Sequence, residues 1–229
     1  MEELAFISDV HSNVEALEAV LEKAGGADVY CLGDLVGYGA SPNEVVDLLR
    51  SRRARCLRGN HDEAALTGNV GGFNSRAAMA ALWTRTKLTP ASREFIAGLP
   101  SQVRSNLGGI DSYLAHGSPD DPLWEYVDPS THSQVFEHYL RKLSVKIIGL
   151  GHSHLPYAWE GGGGLVFNPG SVGQPRDGDP RASYSVLSFE GGHYEVRNFR
   201  VEYDVNTSAE KIRKAGLADS LAARLYKGT

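Results

Sequence analysis

The chain predicts an α/β protein with a mostly parallel sheet, because short apolar runs alternate with stretches of helical spacing over its first sixty or so residues. A second observation sharpens this. Successive apolar runs stop at an Asp, Asn or His, residues that a core does not accept without partners. Leu4-Ala5-Phe6-Ile7-Ser8 is too short for a helix and reads as a buried strand ending at Asp9. From Asn13 to Ala24, Val14, Leu17, Ala19-Val20-Leu21 and Ala24 recur near helical spacing, and Gly25-Gly26 stops the helix. Val29-Tyr30-Cys31-Leu32 is the next strand, ending at Gly33-Asp34. Ser41-Pro42-Asn43-Glu44 opens a second helix, with Ser as N-cap, Pro in the first turn and Glu three residues after the cap. Val45, Val46, Leu48 and Leu49 carry it, and Ala54-Arg55-Cys56-Leu57 is a third strand ending at Gly59-Asn60.

The middle of the chain changes character. Residues 62–100 read as a helical insertion beside the site, within a single domain spanning 1–229. Gly68 to Gly72 is a loop, and Ser75 to Lys87 and Pro90 to Gly98 are helices packed down by Trp83, Leu82, Met79 and Phe95. Val103 to Leu107 and Ile110 to Ala115 flank Gly108-Gly109 as a hairpin, and the second strand stops at His116. A Pro- and Asp-rich loop with Trp124 and Tyr126 leads to a helix over Ser130 to Lys142. Val145 to Leu150 is a strand ending at Gly151-His152. Antiparallel strands follow at Tyr157 to Trp159, Leu165 to Phe167, Tyr184 to Phe189 and Tyr194 to Phe199. The Gly161–Gly164 run is a turn and not a phosphate cradle, because no helix follows it. Thr207-Ser208-Ala209-Glu210 caps a C-terminal helical segment.

Composition narrows the class. At 229 residues with 41% hydrophobic and 22% charged content, the chain buries an ordinary core without staples. A net charge of -5 gives no electrostatic footprint for nucleic-acid binding. Cys31 and Cys56 sit inside apolar runs and read as buried free thiols. No apolar stretch approaches the ~18 residues of a membrane helix, and the acidic start Met1-Glu2-Glu3 is no signal peptide. The expected location is cytoplasmic, with no membrane partner and a small molecule as substrate.

Five runs end in a potential metal ligand, Asp9, Asp34, Asn60, His116 and His152. Strand ends form the ligand crevice of open α/β sheets, so the pattern implies convergence. Oxygen and imidazole donors without thiolate suit Mn, Fe, Co, Ni or Zn better than Ca or Mg. Two such ions about 3.5–4 Å apart bind the attacking and leaving oxygens of an in-line displacement, with a carboxylate bridge for which Asp34 is the best candidate.

Asp9-Val10-His11, Gly33-Asp34, Gly59-Asn60-His61-Asp62, His116 and Gly151-His152-Ser153-His154 together resemble the five blocks of the calcineurin-like metallophosphoesterases. The resemblance spans residue 4 to about 190 and takes in Asn168-Pro169-Gly170-Ser171. It implies two packed mixed sheets flanked by helices, a four-layer α-β-β-α sandwich with the metal site at strand C-terminal ends. It also implies two divalent transition-metal ions, manganese first among them. One would be held by Asp9, His11, Asp34 and His154, the other by Asp34, Asn60, His116 and His152. His61 would stand beside them as the catalytic residue, stabilising phosphoryl charge or protonating the leaving oxygen. The activity implied is hydrolysis of phosphate esters, diester or monoester, including nucleotides and dinucleoside polyphosphates.

The chain departs from the family's protein Ser/Thr phosphatases in the second block. Gly37 and Tyr38 stand where those carry the Asp that orients the catalytic His and the Arg that grips phosphate. Arg76, Arg176 or Arg181 could supply a phosphate contact, although each alone reads as a surface or structural arginine. Asp62 either caps the next helix or bonds to His61, and His132, His138 and His193 have no block around them. The alternative function is a non-catalytic protein-binding scaffold of the same fold, as in the retromer subunit that resembles this family. There the third-block His is typically replaced; here His61 is present.

Overall fold

A computed structural model describes residues 2–229; Met1 lies outside them. Ten strands form two five-stranded sheets. In the first, β1 (Glu2–Ile7), β2 (Asp28–Cys31) and β3 (Arg55–Cys56) run parallel, and β9 (Ala182–Glu190) with β10 (His193–Val201) adds an antiparallel hairpin beside β1. In the second, β5 (Ile110–Ala115), β6 (Ile147–Gly149) and β8 (Gly164–Asn168) run parallel, edged by antiparallel β4 (Gln102–Leu107) and β7 (Tyr157–Gly161). The sheets are therefore mixed. The last four strands form two antiparallel hairpins, β7–β8 in the second sheet and β9–β10 in the first, and β8 also pairs parallel with β6.

Strand alternation builds the layers. Leu4 and Phe6 face the second sheet, in one core with Leu114, Ile147, Leu165 and Phe167. Ala5 and Ile7 face the other way, onto α1 (Val14–Ala24) and α2 (Pro42–Ser51). Tyr113, Ala115, Ile148 and Val166 turn outward onto α6 (Ser133–Leu143). The result is helix, sheet, sheet, helix, with Phe6 and Phe167 meeting edge to face at 5.0 Å across the sheet interface.

Several local expectations shift. Asn13 caps α1 through its side chain, but Ser41 makes no capping bond at α2. The insertion holds three helices, since α3 (Asn60–Thr67) precedes α4 (Ser75–Lys87) and α5 (Pro90–Ala97). Met79 and Leu82 are exposed and pack nothing down, and Trp83 carries Lys87 over its ring. At the C-terminus Asp204, not Thr207, caps α7 (Val205–Lys214), and a further helix α8 (Asp219–Leu225) follows. These two helices pack with Ala77 and Ala80 of α4 around Tyr38. Cys31 and Cys56 are register partners on β2 and β3, free and buried. No described helix is long and apolar enough to cross a membrane.

Candidate metal centre

The C-terminal ends of the parallel strands of both sheets meet at one place. β1 runs into Asp9 and His11, β2 into Asp34, β5 into His116 and β6 into His152 and His154. Asn60 differs from the expectation, because β3 stops at Cys56 and Asn60 is the first residue of α3. All seven of these side chains are buried, and so is His61. Nine described residues other than Gly adopt positive φ, and five of them are Asp9, His11, Asp34, His152 and His154. Such backbone costs on the order of 1–3 kcal/mol per residue and concentrates where a site over-determines it. His152 and His154 are therefore not an extended pair aimed one way. His154 reaches Asp9, with Nε2 3.3 Å from Oδ1, whereas His152 groups with Asp34 and His116.

The surrounding chain holds these turns. Asp62 accepts from the backbone N–H of Gly59 (2.9 Å), Leu35 (3.2 Å) and Val36 (3.0 Å), which ties the Asp34 turn to the start of α3. This settles Asp62 as a cap and loop anchor. Asn168 donates to Gly151 O (2.6 Å) and Ser153 Oγ (3.1 Å), and Ser171 donates to Asp9 O (2.7 Å). His152 N–H donates to Asp9 Oδ2 at 3.1 Å, one of the bonds joining the two sheets here. Gly59 has no room for a side chain, since a Cβ would run into the Asp34 carboxylate.

The polarity of the centre is one-sided. His11 Nδ1 faces Val36 O (3.1 Å), His154 Nδ1 faces Gln174 O (2.6 Å) and His116 Nδ1 faces Leu32 O (2.8 Å). A carbonyl only accepts, so each Nδ1 carries the proton and each Nε2 presents a lone pair inward when the ring is neutral. Those lone pairs converge on acceptors. His11 and His154 Nε2 lie 3.1 Å apart, and Asp34 Oδ2 lies 3.6 Å from His11 and 3.4 Å from His116. Asn60 Oδ1 lies 3.2 Å from His116 Nε2. Asp9 Oδ1 and Asp34 Oδ2 are buried without a hydrogen-bond partner. Acceptors gathered with so few donors fit a cation.

Protonation follows the same logic. Burial pushes the His11 and His154 imidazoles well below their ordinary range, and takes His152 down to about 3, with the charge of His116 adding to the effect. For His116 burial acts downward, but Asp34 and Asp9 outweigh it and raise it to about 9. Burial lifts Asp9 to about 7, while at Asp34 the neighbouring imidazoles overcome burial and hold the carboxylate well below its usual range. Three groups of side chains could hold an ion: Asp9, His11 and His154; His11, Asp34 and His61; and Asp34, His116 and His152.

His61 stands at the edge of this cluster. Its backbone N–H donates to Asp34 Oδ1 (2.8 Å), and its ring lies 4.8 Å from that of His11. Its Nδ1 is buried without a partner, and Gly37 packs so close that a Cβ there would sit 2.6 Å from it. The orienting carboxylate is thus absent in space as in sequence. An aromatic rim surrounds His61, with Tyr38 at 4.4 Å and Phe73 at 4.6 Å between ring centroids. Trp124 meets Phe73 edge on at 5.2 Å, and Tyr126 stacks on His152 at 3.8 Å. His152 Nε2 faces Trp124 O at 3.2 Å, so the Pro- and Asp-rich loop both orients a centre residue and lines its mouth. Phe73 escaped sequence reasoning because it lies in a loop without a motif. Of the arginines, Arg181 pairs with Asp179, whereas Arg176 reaches Tyr38 OH at 3.5 Å. His132, His138 and His193 are exposed.

A model of the calcineurin-like phosphoesterase superfamily domain matches residues 3–192. The chain belongs to that superfamily. An uncharacterized protein of Methanocaldococcus jannaschii is 38% identical over 98% of both chains. The crystal structure of a metallophosphoesterase from Sphaerobacter thermophilus superposes with a TM-score of 0.86 at 34% identity, covering 100% of this chain and 99% of that one. Phosphodiesterase YfcE of Escherichia coli is 27% identical over 82% of this chain and 88% of its own. Membership and the His/Asp cluster together indicate divalent-metal binding and phosphoester hydrolysis.

Proposed function

We propose that the chain is a two-metal phosphoesterase whose substrates carry an aromatic group such as a nucleobase. The observation that carries this reading is the convergence of His11 and His154 Nε2 on Asp9 Oδ1, with Asp34 Oδ2 facing His11 and His116 at once. Asp9, His11, Asp34 and His154 would hold one ion and Asp34, Asn60, His116 and His152 the other, Asp34 being shared. When bound, the pair would supply Lewis-acid stabilisation of the phosphoryl oxygens and an activated water. Manganese suits this donor set, as do Fe, Zn, Ni and Co.

His61 does the proton work in this reading. Burial brings it down to about 4, so it is neutral near pH 7 until substrate arrives. A bound phosphate is opposite in sign to an imidazolium, so its negative charge raises the His61 pKa; the ring then takes a proton from solvent and donates it to the leaving oxygen. The backbone bond from His61 to Asp34 and the packing of Gly37 and Tyr38 hold the ring in place of an orienting carboxylate. Trp124 and Tyr126, exposed by 36% and 58%, offer their faces to a planar group at the mouth.

The test is hydrolysis of bis-p-nitrophenyl phosphate and p-nitrophenyl phosphate with added Mn²⁺, with metal content measured on the same samples. Wild type turns over one or both and holds two ions per chain. His61→Ala keeps its ions and loses ~10²–10⁴-fold in rate. A folded wild type loaded with two ions that cleaves neither ester, nor any nucleotide, would overturn the reading.

A further inference from the structure

Arg176 and Arg224, from distant parts of the chain, both reach Tyr38. Arg176 Nη2 lies 3.5 Å from Tyr38 OH, and its Nε is buried without a hydrogen-bond partner. Arg224, from α8, places Cζ 5.9 Å from the centroid of the Tyr38 ring. Arg76 opens α4 beside Ala77, which packs with Leu221 and Leu225 of α8. Tyr38 in turn lies 4.4 Å from His61 and 4.7 Å from His11. Several arginines, among them Arg181, Arg197, Arg200 and Arg213, pair with an Asp or Glu, while Arg52, Arg85, Arg93 and Arg104 donate to backbone carbonyls. Among the described residues, Arg76, Arg176 and Arg224 pair with no Asp or Glu, and Arg224 donates through Nε to Thr229 O at 2.5 Å.

We propose that Arg176 and Arg224, aided by Arg76, form a subsite for a second, non-scissile phosphate on the substrate, beside Tyr38 at the edge of the metal centre. This rests on the phosphoesterase reading and adds the substrate class, a phosphate ester bearing a further phosphate group. Guanidinium is the side chain suited to phosphate, through forked, charge-assisted hydrogen bonds. An unpaired cluster of like charge is unfavourable in the free protein. Arg224 is lowered from its ordinary range by burial and then by the charges of Arg176 and Arg76. A dianion between them would relieve that repulsion. Arg224 lies beyond residue 192, where the match to the superfamily domain ends, so the C-terminal helices bring to the shared centre a group from outside that match.

The experiment compares adenosine 5′-monophosphate, adenosine 5′-diphosphate and adenosine 3′,5′-bisphosphate as competitive inhibitors of p-nitrophenyl phosphate hydrolysis by the Mn²⁺-loaded chain. The three share base and sugar and differ by one phosphate. At least one two-phosphate compound binds about tenfold tighter than the monophosphate, as one charged hydrogen bond of ~1.5–3 kcal/mol implies. Arg224→Gln removes that advantage, Arg224→Lys restores part of it, and thermal melting verifies that each variant is folded. Equal inhibition by all three, or a variant that weakens all three alike, overturns the subsite. If the wild type hydrolyses nothing, equilibrium titration of the same nucleotides into the loaded chain decides the subsite separately from the phosphoesterase reading.

Discussion

In the first sheet, parallel β1 and β2 deliver Asp9, His11 and Asp34, and the start of α3 after β3 adds Asn60; in the second, parallel β5 and β6 deliver His116, His152 and His154. The carboxylates of the cluster therefore all come from one sheet, and the other contributes imidazoles alone. Each imidazole of the second sheet has its remaining nitrogen against a backbone carbonyl, and His116 finds that carbonyl, Leu32 O, in the first sheet. One half of the molecule supplies negative charge and the other supplies direction. Neither half closes the centre by itself, so the packing between sheets is part of the site.

The largest effect follows from charge. Asp34→Asn removes the carboxylate oxygen that faces His11 of the first sheet and His116 of the second, and turnover is expected to fall to background with loss of bound metal. Retention of two ions per chain would break the division between the halves. Next comes the interface. Phe6 and Phe167 are fully buried and touch across it, so Phe167→Ala should cost ~3–5 kcal/mol by denaturant unfolding. A loss below about 1 kcal/mol would mean that the sheets are held together chiefly at the centre. Smaller again is Asn168→Ala, which frees Gly151 O and Ser153 Oγ beside His152 and His154. Supporting residues of this kind are worth ~10–100-fold in metal affinity, to be read by equilibrium titration. No change would show that the left-handed turns hold themselves.

That these Asp, Asn and His side chains converge was legible in sequence, because such a residue at the end of an apolar run needs a reason to be buried. What joins them was less so. Asn60 looked like a strand end because Leu57 continues the apolar run, yet β3 holds only Arg55 and Cys56 before the chain turns into α3. Period-2 patterning cannot say which neighbour a strand pairs with, and β8 inserts beside β6 by long-range packing. Asp9, Asp34 and His152 are themselves left-handed, which the glycines before Asp34 and His152 do not announce. Arg224 belongs to a short helix without a motif, and only folding brings it over Tyr38.

The smallest effect tests the division of charge by pH. In the metal-free chain Asp9 is raised from 3.8 to about 7 and His116 from 6.5 to about 9. In both cases the native state binds protons that the unfolded state has released, so stability falls as pH rises through each window. For Asp9 that window runs from about 4 to 7, and for His116 the contribution is complete below 6.5 and gone above 9. Asp34, held low, acts in the opposite sense only in strong acid, while His11, His61, His152 and His154, also held low, gain stability as pH rises through about 6.5 and offset part of the loss. The chelator-treated chain should therefore melt at a lower temperature at pH 8.5 than at pH 6.5, by roughly a few degrees. Added Mn²⁺ competes with those same protons, so the melting temperature it restores should be larger at the higher pH. A metal-free chain that melts higher at pH 8.5 would show that Asp9 and His116 do not share the charge of the centre in the way their burial and spacing imply.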